Sequence, residues 1–215
     1  MIRLLLLTGI LLLGVLGLIC WLVRAVIGRR KAGLKALADR LSLDSISDPN
    51  RLVWYRRWFS LQRLQGLYRG HEIIVERTSQ RFSGRFKSVE VLRFACPCVG
   101  VPAFEIHPVS PLAYRLRRFR SRLVSTGDAP FDGFFALKAE SPAFVLELLN
   151  APIRERLLQT FKGQRARGVI CFSGGELSYV EASVPWSSSG VDRFESMVQR
   201  LYELSLAVKV FTQEG

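Results

Sequence analysis

The sequence predicts an α+β fold, with a mainly antiparallel sheet and packed helices, that follows a single N-terminal transmembrane helix. Three observations support this prediction. Residues 4–23 form a run of 20 residues without a charge. Beyond residue 70, period-two patterns typical of strands alternate with segments that begin with helix caps. The pair Gly174-Gly175 separates two short apolar runs and readily adopts a hairpin turn.

The apolar run is long enough to cross a bilayer, because 20 helical residues rise about 30 Å. Trp21 falls near one end, where its amphipathic ring suits the headgroup region. A cleaved signal peptide is disfavoured, because no A-x-A pattern follows the run. A lipoprotein signal is disfavoured as well, because Ile19 precedes Cys20 where a small residue is needed. We therefore assign residues 1–28 to a transmembrane anchor.

The charges on either side of the anchor predict its orientation. Arg3 precedes the apolar run, whereas Arg24, Arg29, Arg30, Lys31 and Lys35 follow it. The positive-inside rule then places the C-terminal domain in the cytoplasm of a single-pass protein of the cell inner membrane. The four cysteines form no disulfide framework, which fits a reducing compartment.

The chain is strongly basic, with 31 Lys and Arg against 18 Asp and Glu, a net charge of +13. Such a surface attracts anions, and for a chain anchored in a bilayer the nearest anions are lipid headgroups. An acidic membrane-protein partner is the alternative, and nucleic acid is not expected because no RNP-like or helix-turn-helix pattern occurs. The expected binding residues are the basic side chains Arg29, Arg30, Lys31, Lys35, Arg51, Arg56, Arg57, Arg63, Arg115, Arg117, Arg118 and Arg120.

Residues 29–49 read as a basic connector helix between the anchor and the domain. Leu34, Leu37 and Leu41 share one stripe, and Asp48-Pro49-Asn50 breaks the pattern. The soluble α+β domain then covers residues 50–215. Its first helix, capped by Asn50, places Trp54, Trp58 and Leu61 on one face with arginines beside them. That face packs on the core or lies in the membrane interface, and the core interpretation is favoured because an aromatic stripe at helical spacing is usually buried.

The remaining elements follow in order along the chain. Strands are predicted at 71–77, 89–94, 103–107, 131–139, 169–172 and 177–180, with a turn at 66–71 leading into the first of them. Helices are predicted at 110–122, from Ser141-Pro142, from Ala151-Pro152 to about Phe161, and at 192–210.

Few residues have the pattern of a catalytic or metal site. Walker, Rossmann, G-x-S-x-G and H-E-x-x-H motifs do not occur, and the two histidines, His71 and His107, lie beside strands. Cys96-Pro97-Cys98 offers two thiolates to zinc, but no second pair completes the four ligands. We therefore expect neither metal nor cofactor.

Asp128 and Asp132 present two carboxylates after a glycine. They bind a cation in one interpretation; in the other, Asp128 tightens a turn and Asp132 caps it or pairs with an arginine. The second interpretation is favoured.

One extended pattern resembles a known group. Thr126-Gly127-Asp128-x-x-Phe131-Asp132-x-x-Phe135 is followed by the stretch 148–154 and by Gly174-Gly175-Glu176-Leu177. Together they resemble a pattern in uncharacterised bacterial membrane-anchored proteins. The resemblance implies a bacterial origin, membrane attachment and a non-enzymatic or unknown role.

Two functions are consistent with these features. The first is a membrane-anchored cytoplasmic interaction or scaffolding domain whose basic surface faces anionic lipid or an acidic partner. The second is a membrane-associated enzyme that acts on a lipid or phosphate-bearing substrate with Asp128, Asp132 or His71. A cleft that joins those three residues favours the enzyme, and separate positions favour the interaction domain.

Overall fold

The computed structural model describes residues 2–46, 63–82, 85–96, 98, 100–109, 123–164, 167–182 and 186–213. The predicted helices around Trp54 and over 110–122 therefore lie outside the described residues. Within the described part the protein has one long apolar N-terminal helix, an antiparallel sheet and several further helices. The predicted α+β class is confirmed.

Helix α1 spans Ile2–Leu41 without a break. It contains no proline, and its leucines favour the helical backbone. It ends in a Schellman motif, in which Ser42 has a positive φ of 54° and the Leu43 N–H donates to the Ala38 carbonyl at 2.9 Å. A serine in the position usually held by glycine carries some strain there, and the bond at Leu43 offsets it.

The described strands form one eight-stranded sheet in which every pairing is antiparallel. The strands are β1 (Asp44–Ile46), β2 (Arg63–Tyr68), β3 (His71–Phe82), β4 (Arg85–Ala95), β5 (Phe104–Pro108), β6 (Phe135–Ala139), β7 (Val169–Ser173) and β8 (Glu176–Ala182). Their order across the sheet is β1-β2-β3-β4-β8-β7-β5-β6. The contact between β4 and β8 therefore joins the N-terminal meander to the C-terminal strands.

Two hairpins have turns in the left-handed region. Gly174 and Gly175, with φ of 61° and 77°, join β7 to β8, so the predicted hairpin is confirmed. Arg69 and Gly70, with φ of 51° and 82°, join β2 to β3. The sequence predicted only a turn at 66–71, and residues 63–68 are in fact a strand. Gly66 and Gly70 weakened the strand pattern, and pairing on both sides of β2 overrides that weakness.

Four further helices follow in the described part: α2 (Ala129–Phe134), α3 (Pro142–Leu148), α4 (Ala151–Gln164) and α5 (Ser188–Gln213). Side chains cap three of them, because Asp128, Ser141 and Asn150 each accept a bond from a backbone N–H three residues later. The predicted strand over 131–139 is wrong in its first half. The Asp128 cap and Pro130 in the first turn begin helix α2, and the strand starts only at Phe135.

The core lies between one face of the sheet and the helices. Cross-strand neighbours such as Ile73 with Phe94 and Val75 with Leu92 point to this face and are buried. The C-terminal part of α1 belongs to the same core through its buried side chains Leu34, Leu37, Ala38 and Leu41. One helix thus carries the apolar run at its start and core residues at its end.

Candidate functional site

The junction between the anchor and the domain is built around one buried carboxylate. Glu90 on β4 binds Arg30 of α1 through two bonds, from Nε at 3.0 Å and from Nη2 at 3.2 Å. The indole N–H of Trp186 also donates to Glu90 at 3.4 Å, and the Nε of Arg77 is 3.8 Å away. The side chains of Arg30 and Glu90 are only 13% and 5% exposed. Because the pair is enclosed, each ion depends on the other for its compensation.

A second buried ionic group lies next to the first on the sheet, because Glu90 and Glu181 are cross-strand partners. Glu181 pairs with Arg193 of α5 at 3.1 Å and accepts a bond from the Tyr179 hydroxyl at 2.6 Å. Burial raises the pKa of Glu181 and of Tyr179 above their usual ranges. The Tyr179 hydroxyl also accepts the Gly168 N–H at 3.2 Å, so its position is fixed from both sides.

The other predicted basic residues of the junction face outward. Arg29, Lys31 and Lys35 are exposed on α1, just beyond the apolar run. Lys31 and Lys35 border a groove of about 470 Å³. Its lining residues are Lys31, Ala32, Leu34, Lys35, Ala38, Asp39, Leu43 and Leu64. The leucines of its floor are already buried, so covering the groove would remove little apolar surface from water.

Arg30 does not share this outward placement, because its guanidinium is bound to Glu90. Arg63 lies on β2, two strands from β4, and is half-buried. The remaining predicted lipid-binding residues, Arg51, Arg56, Arg57, Arg115, Arg117, Arg118 and Arg120, lie outside the described residues. Lipid binding by the predicted set stays a prediction.

The structure does not bring Asp128, Asp132 and His71 together. The two aspartates precede or belong to α2, beside the edge strand β6, whereas His71 begins β3. Five strand spacings of about 4.8 Å separate β3 from β6. The hydrogen-bond partners of the three side chains also have no residue in common. The proposed three-residue cleft therefore has no counterpart among the described residues.

Both aspartates have structural partners. Asp128 caps α2 and pairs with Arg154 of α4 at 3.1 Å. Asp132 accepts bonds from the Thr126 N–H at 3.0 Å and from the Ser125 hydroxyl at 2.7 Å. Burial raises the pKa of Asp132, but these bonds outweigh it and hold that pKa below its usual value. Both carboxylates thus have structural partners, but with the roles exchanged from those predicted: Asp128 forms the helix cap and the arginine pair, and Asp132 tightens the turn.

The two cysteines of the Cys-Pro-Cys sequence are buried and close. Their sulfurs are 3.4 Å apart, and Cys96 lies 3.8 Å from the Ser205 carbonyl of α5. Burial raises the pKa of Cys96 to about 12, so the thiol stays protonated. In the described part, no group of three or more His, Cys, Asp and Glu residues is arranged to hold a metal ion.

A basic and aromatic cluster lies where β2 turns into β3. The guanidinium of Arg69 lies over two rings, 5.4 Å from the centre of Tyr68 and 5.0 Å from that of Tyr202. His71 stacks on Phe94 at 4.9 Å and meets Tyr202 edge to face at 5.6 Å. The two tyrosine rings hold the guanidinium of Arg69 at the surface, because ring faces attract a positive charge.

Two of the residues that organise these sites were missed from the sequence. Glu90 lies two residues before Leu92 and four before Phe94 in the same strand, so the three side chains share one face. This spacing predicts that the carboxylate of Glu90 points into the core. A buried acid needs a cation, and this signal could have led to Arg30. No comparable signal existed for Tyr202, because its partners Tyr68, Arg69 and His71 are distant along the chain.

Comparisons with known proteins identify a solved structure with a similar fold. No family model matches the chain, and no curated protein matches it. The structure is similar to a solved one. That structure is described as the crystal structure of the mycobacterial trehalose monomycolate transport factor A, TtfA. The TM-score is 0.52 at 11% sequence identity, over 86% of this chain and 95% of that chain. At this identity the likeness shows the fold alone.

Proposed function

We propose that this protein is a membrane-anchored interaction protein that holds its α+β domain at the cytoplasmic face of a bacterial inner membrane. The observation that carries the proposal is the continuity of α1. One helix in the described part is long and apolar enough to cross a membrane, with a mean hydropathy of 2.3. From Leu11 to Val23 its side chains are exposed, whereas its last turns are buried in the domain. Such a division suits a helix that leaves a bilayer and enters a folded domain.

The charges that flank this helix support the proposed orientation. Arg24, Arg29 and Lys31 lie on the domain side, which favours retention of that side in the cytoplasm. The cysteines of the described part are free, as a reducing compartment requires. An acidic or anionic partner in that compartment is favoured by the net charge of +13.

Anionic lipid is the first partner that we propose. Arg29, Lys31 and Lys35 are exposed within about 20 Å of the end of the apolar run, where headgroups are reached by long side chains. Each such residue contributes about 1 kcal/mol to contact with an anionic leaflet. We include the arginines at 51–63 and 115–120 in this proposed surface because of their positions in the sequence.

A membrane-protein partner is the second part of the proposal. The similar fold of TtfA, a protein described as a transport factor, supports an accessory role of this kind. The enzymatic alternative is less well supported. Asp128 and Asp132 are engaged by backbone and side-chain partners, and His71 lies in a different part of the sheet.

The lipid contact is testable with the full chain in nanodiscs of zwitterionic lipid. Energy transfer from its tryptophans is measured to a dansyl-labelled anionic lipid and, separately, to a dansyl-labelled zwitterionic one. We expect enrichment of the anionic lipid, weakened by salt and reduced about tenfold or more by Lys31→Glu with Lys35→Glu, since two charges are reversed.

Lys162→Glu is the matched control, because Lys162 is an exposed lysine on α4, away from the anchor. It should leave the enrichment unchanged. Equal transfer to both lipids, or transfer insensitive to salt, would contradict the lipid contact and favour an acidic protein at this surface.

A further inference from the structure

Helix α5 runs past the end of α1 and away from the anchor. Gly33 of α1 is packed against Trp186, just before α5 begins, and Arg40 of α1 binds Asp192 and Glu195 at 2.6 and 2.9 Å. The two helices thus advance in the same direction. From Glu195 the helical rise carries α5 about 21 Å further before it reaches Lys209. Its C-terminal end therefore lies at the end of the domain that is remote from the bilayer.

The basic and aromatic cluster is located at this remote end. We call it the distal cluster and define it as Tyr68, Arg69, His71, Tyr202, Leu206 and Lys209. Tyr202, Leu206 and Lys209 are spaced i, i+4 and i+7, which places them on one stripe of α5. The other three come from the β2–β3 hairpin. Two elements distant in sequence thus present one surface.

Contacts within the cluster fix its cations in place. The carbonyl of Ala95 can only accept a bond, so the Nδ1 of His71, 3.2 Å away, carries the proton. The Nε2 of the same ring is then an acceptor for the Lys209 ammonium at 3.2 Å. Arg69 is held by its two tyrosine rings, and among the described residues no carboxylate lies within pairing distance of it.

An exposed apolar side chain adjoins these cations. Outside α1, the described part has three exposed large hydrophobic residues, Leu67, Leu146 and Leu206. One of them, Leu206, is 42% exposed and belongs to the cluster, whereas Leu67 points to the opposite face of β2 from Tyr68. Tyrosine and arginine beside apolar surface make up the centre of many protein interfaces. A cationic rim around such a centre complements an acidic segment.

We propose that the distal cluster is the binding surface for an acidic segment of a partner protein, with a carboxylate on Arg69 and an apolar side chain against Leu206 and Tyr202. The proposal rests on the interaction function above and names the surface that carries it. Lipid is disfavoured as the occupant, because the cluster lies at the end of the domain opposite the anchor. A second copy of the chain is disfavoured by its net charge of +13.

The test uses the full chain in zwitterionic nanodiscs and a fluorescein-labelled 12-residue peptide of glutamate and leucine. A peptide with glutamine in place of glutamate is the charge control. Fluorescence anisotropy should show binding of the acidic peptide that Arg69→Glu and Leu206→Glu each weaken about tenfold or more. Lys162→Glu and Leu146→Glu, matched changes at exposed positions elsewhere, should leave the dissociation constant unchanged.

Circular dichroism first establishes that each variant is folded, and Leu206→Ala replaces Leu206→Glu if the charged variant is not. Equal affinity for the glutamine peptide, or an affinity that neither cluster substitution lowers, would overturn the proposal. So would tighter, Arg69-dependent binding of a single-stranded oligonucleotide or of anionic vesicles. Lipid enrichment at Lys31 and Lys35 is measured separately, so failure here leaves the membrane contact intact.

Discussion

A single carboxylate, Glu90, connects three parts of the protein. It binds Arg30 of the anchor helix and Trp186 of the segment before α5. It also lies near Arg77 on the adjacent strand. A buried pair of this kind adds little to stability relative to apolar residues, but the loss of one member leaves the other charge uncompensated. We therefore expect Glu90 to fix the geometry of the junction rather than to add net stability.

Replacing Glu90 by glutamine should lower the free energy of unfolding by about 3 kcal/mol or more, because Arg30 then remains buried without an anion. The measurement is denaturant unfolding of the full chain in detergent, followed by circular dichroism.

Glu105→Gln is the matched control. Glu105 pairs with His107 and Lys138 on an exposed part of the sheet, where removal of an ion pair costs about 1 kcal/mol or less. Equal effects of the two substitutions would show that the Arg30–Glu90 pair is screened by water and does not organise the junction.

At the scale of elements, α1 fits the domain through a glycine. A Cβ on Gly33 would stand 2.8 Å from the Cβ of Trp186, closer than packed side chains allow, whereas one on Gly28 meets nothing within 4 Å. Both glycines lie inside the same helix. Alanine substitutions at the two positions therefore separate the effect of helix propensity from the effect of packing.

We expect Gly28→Ala to be neutral or to stabilise the chain by up to about 1 kcal/mol, as alanine does in a helix. Gly33→Ala should instead destabilise it by about 1–3 kcal/mol, because α1 and Trp186 must move apart. Thermal unfolding of both variants in detergent gives the comparison. Stabilisation by both would mean that Trp186 readily turns away from α1.

The elements with strong local signals were predicted well. The apolar run, the Gly174-Gly175 hairpin and the capped helices at Ser141 and Ala151 each depend on residues close together in sequence. The failures have two causes. Helix α2 has local start signals in Asp128 and Pro130, which the strand prediction over 131–139 did not take into account. Strand β2 has a weak pattern, and pairing with distant segments decides its conformation. The same limit hid the distal cluster, whose members come from residues 68–71 and 202–209.

For the whole molecule, the division between anchor and domain is an experimental question. Deletion of residues 1–28 should leave a folded domain, because the residues of α1 that are buried in the core begin at Leu34. Deletion of residues 1–43 removes Leu34, Leu37 and Leu41 together with Leu43. At about 2 kcal/mol or more for each lost leucine, the shorter chain should not fold.

The two deletion variants differ by 15 residues and are compared by circular dichroism and size-exclusion chromatography. A cooperative unfolding transition for the longer chain and none for the shorter one is the expected result. If the shorter chain also unfolds cooperatively, the end of α1 is a dispensable connector, and the core is complete without it.

The unbroken course of α1 also ties the domain to the thickness of the bilayer. A hydrophobic run that is longer than the local hydrocarbon layer leans over to keep its side chains in lipid. No hinge separates the described α1 from the core, so the domain leans with it. The distal cluster lies up to roughly 45 Å beyond the apolar run, so a 10° change in inclination would move it sideways by roughly 8 Å. Lipid composition could thus decide which neighbours in the membrane that surface can reach.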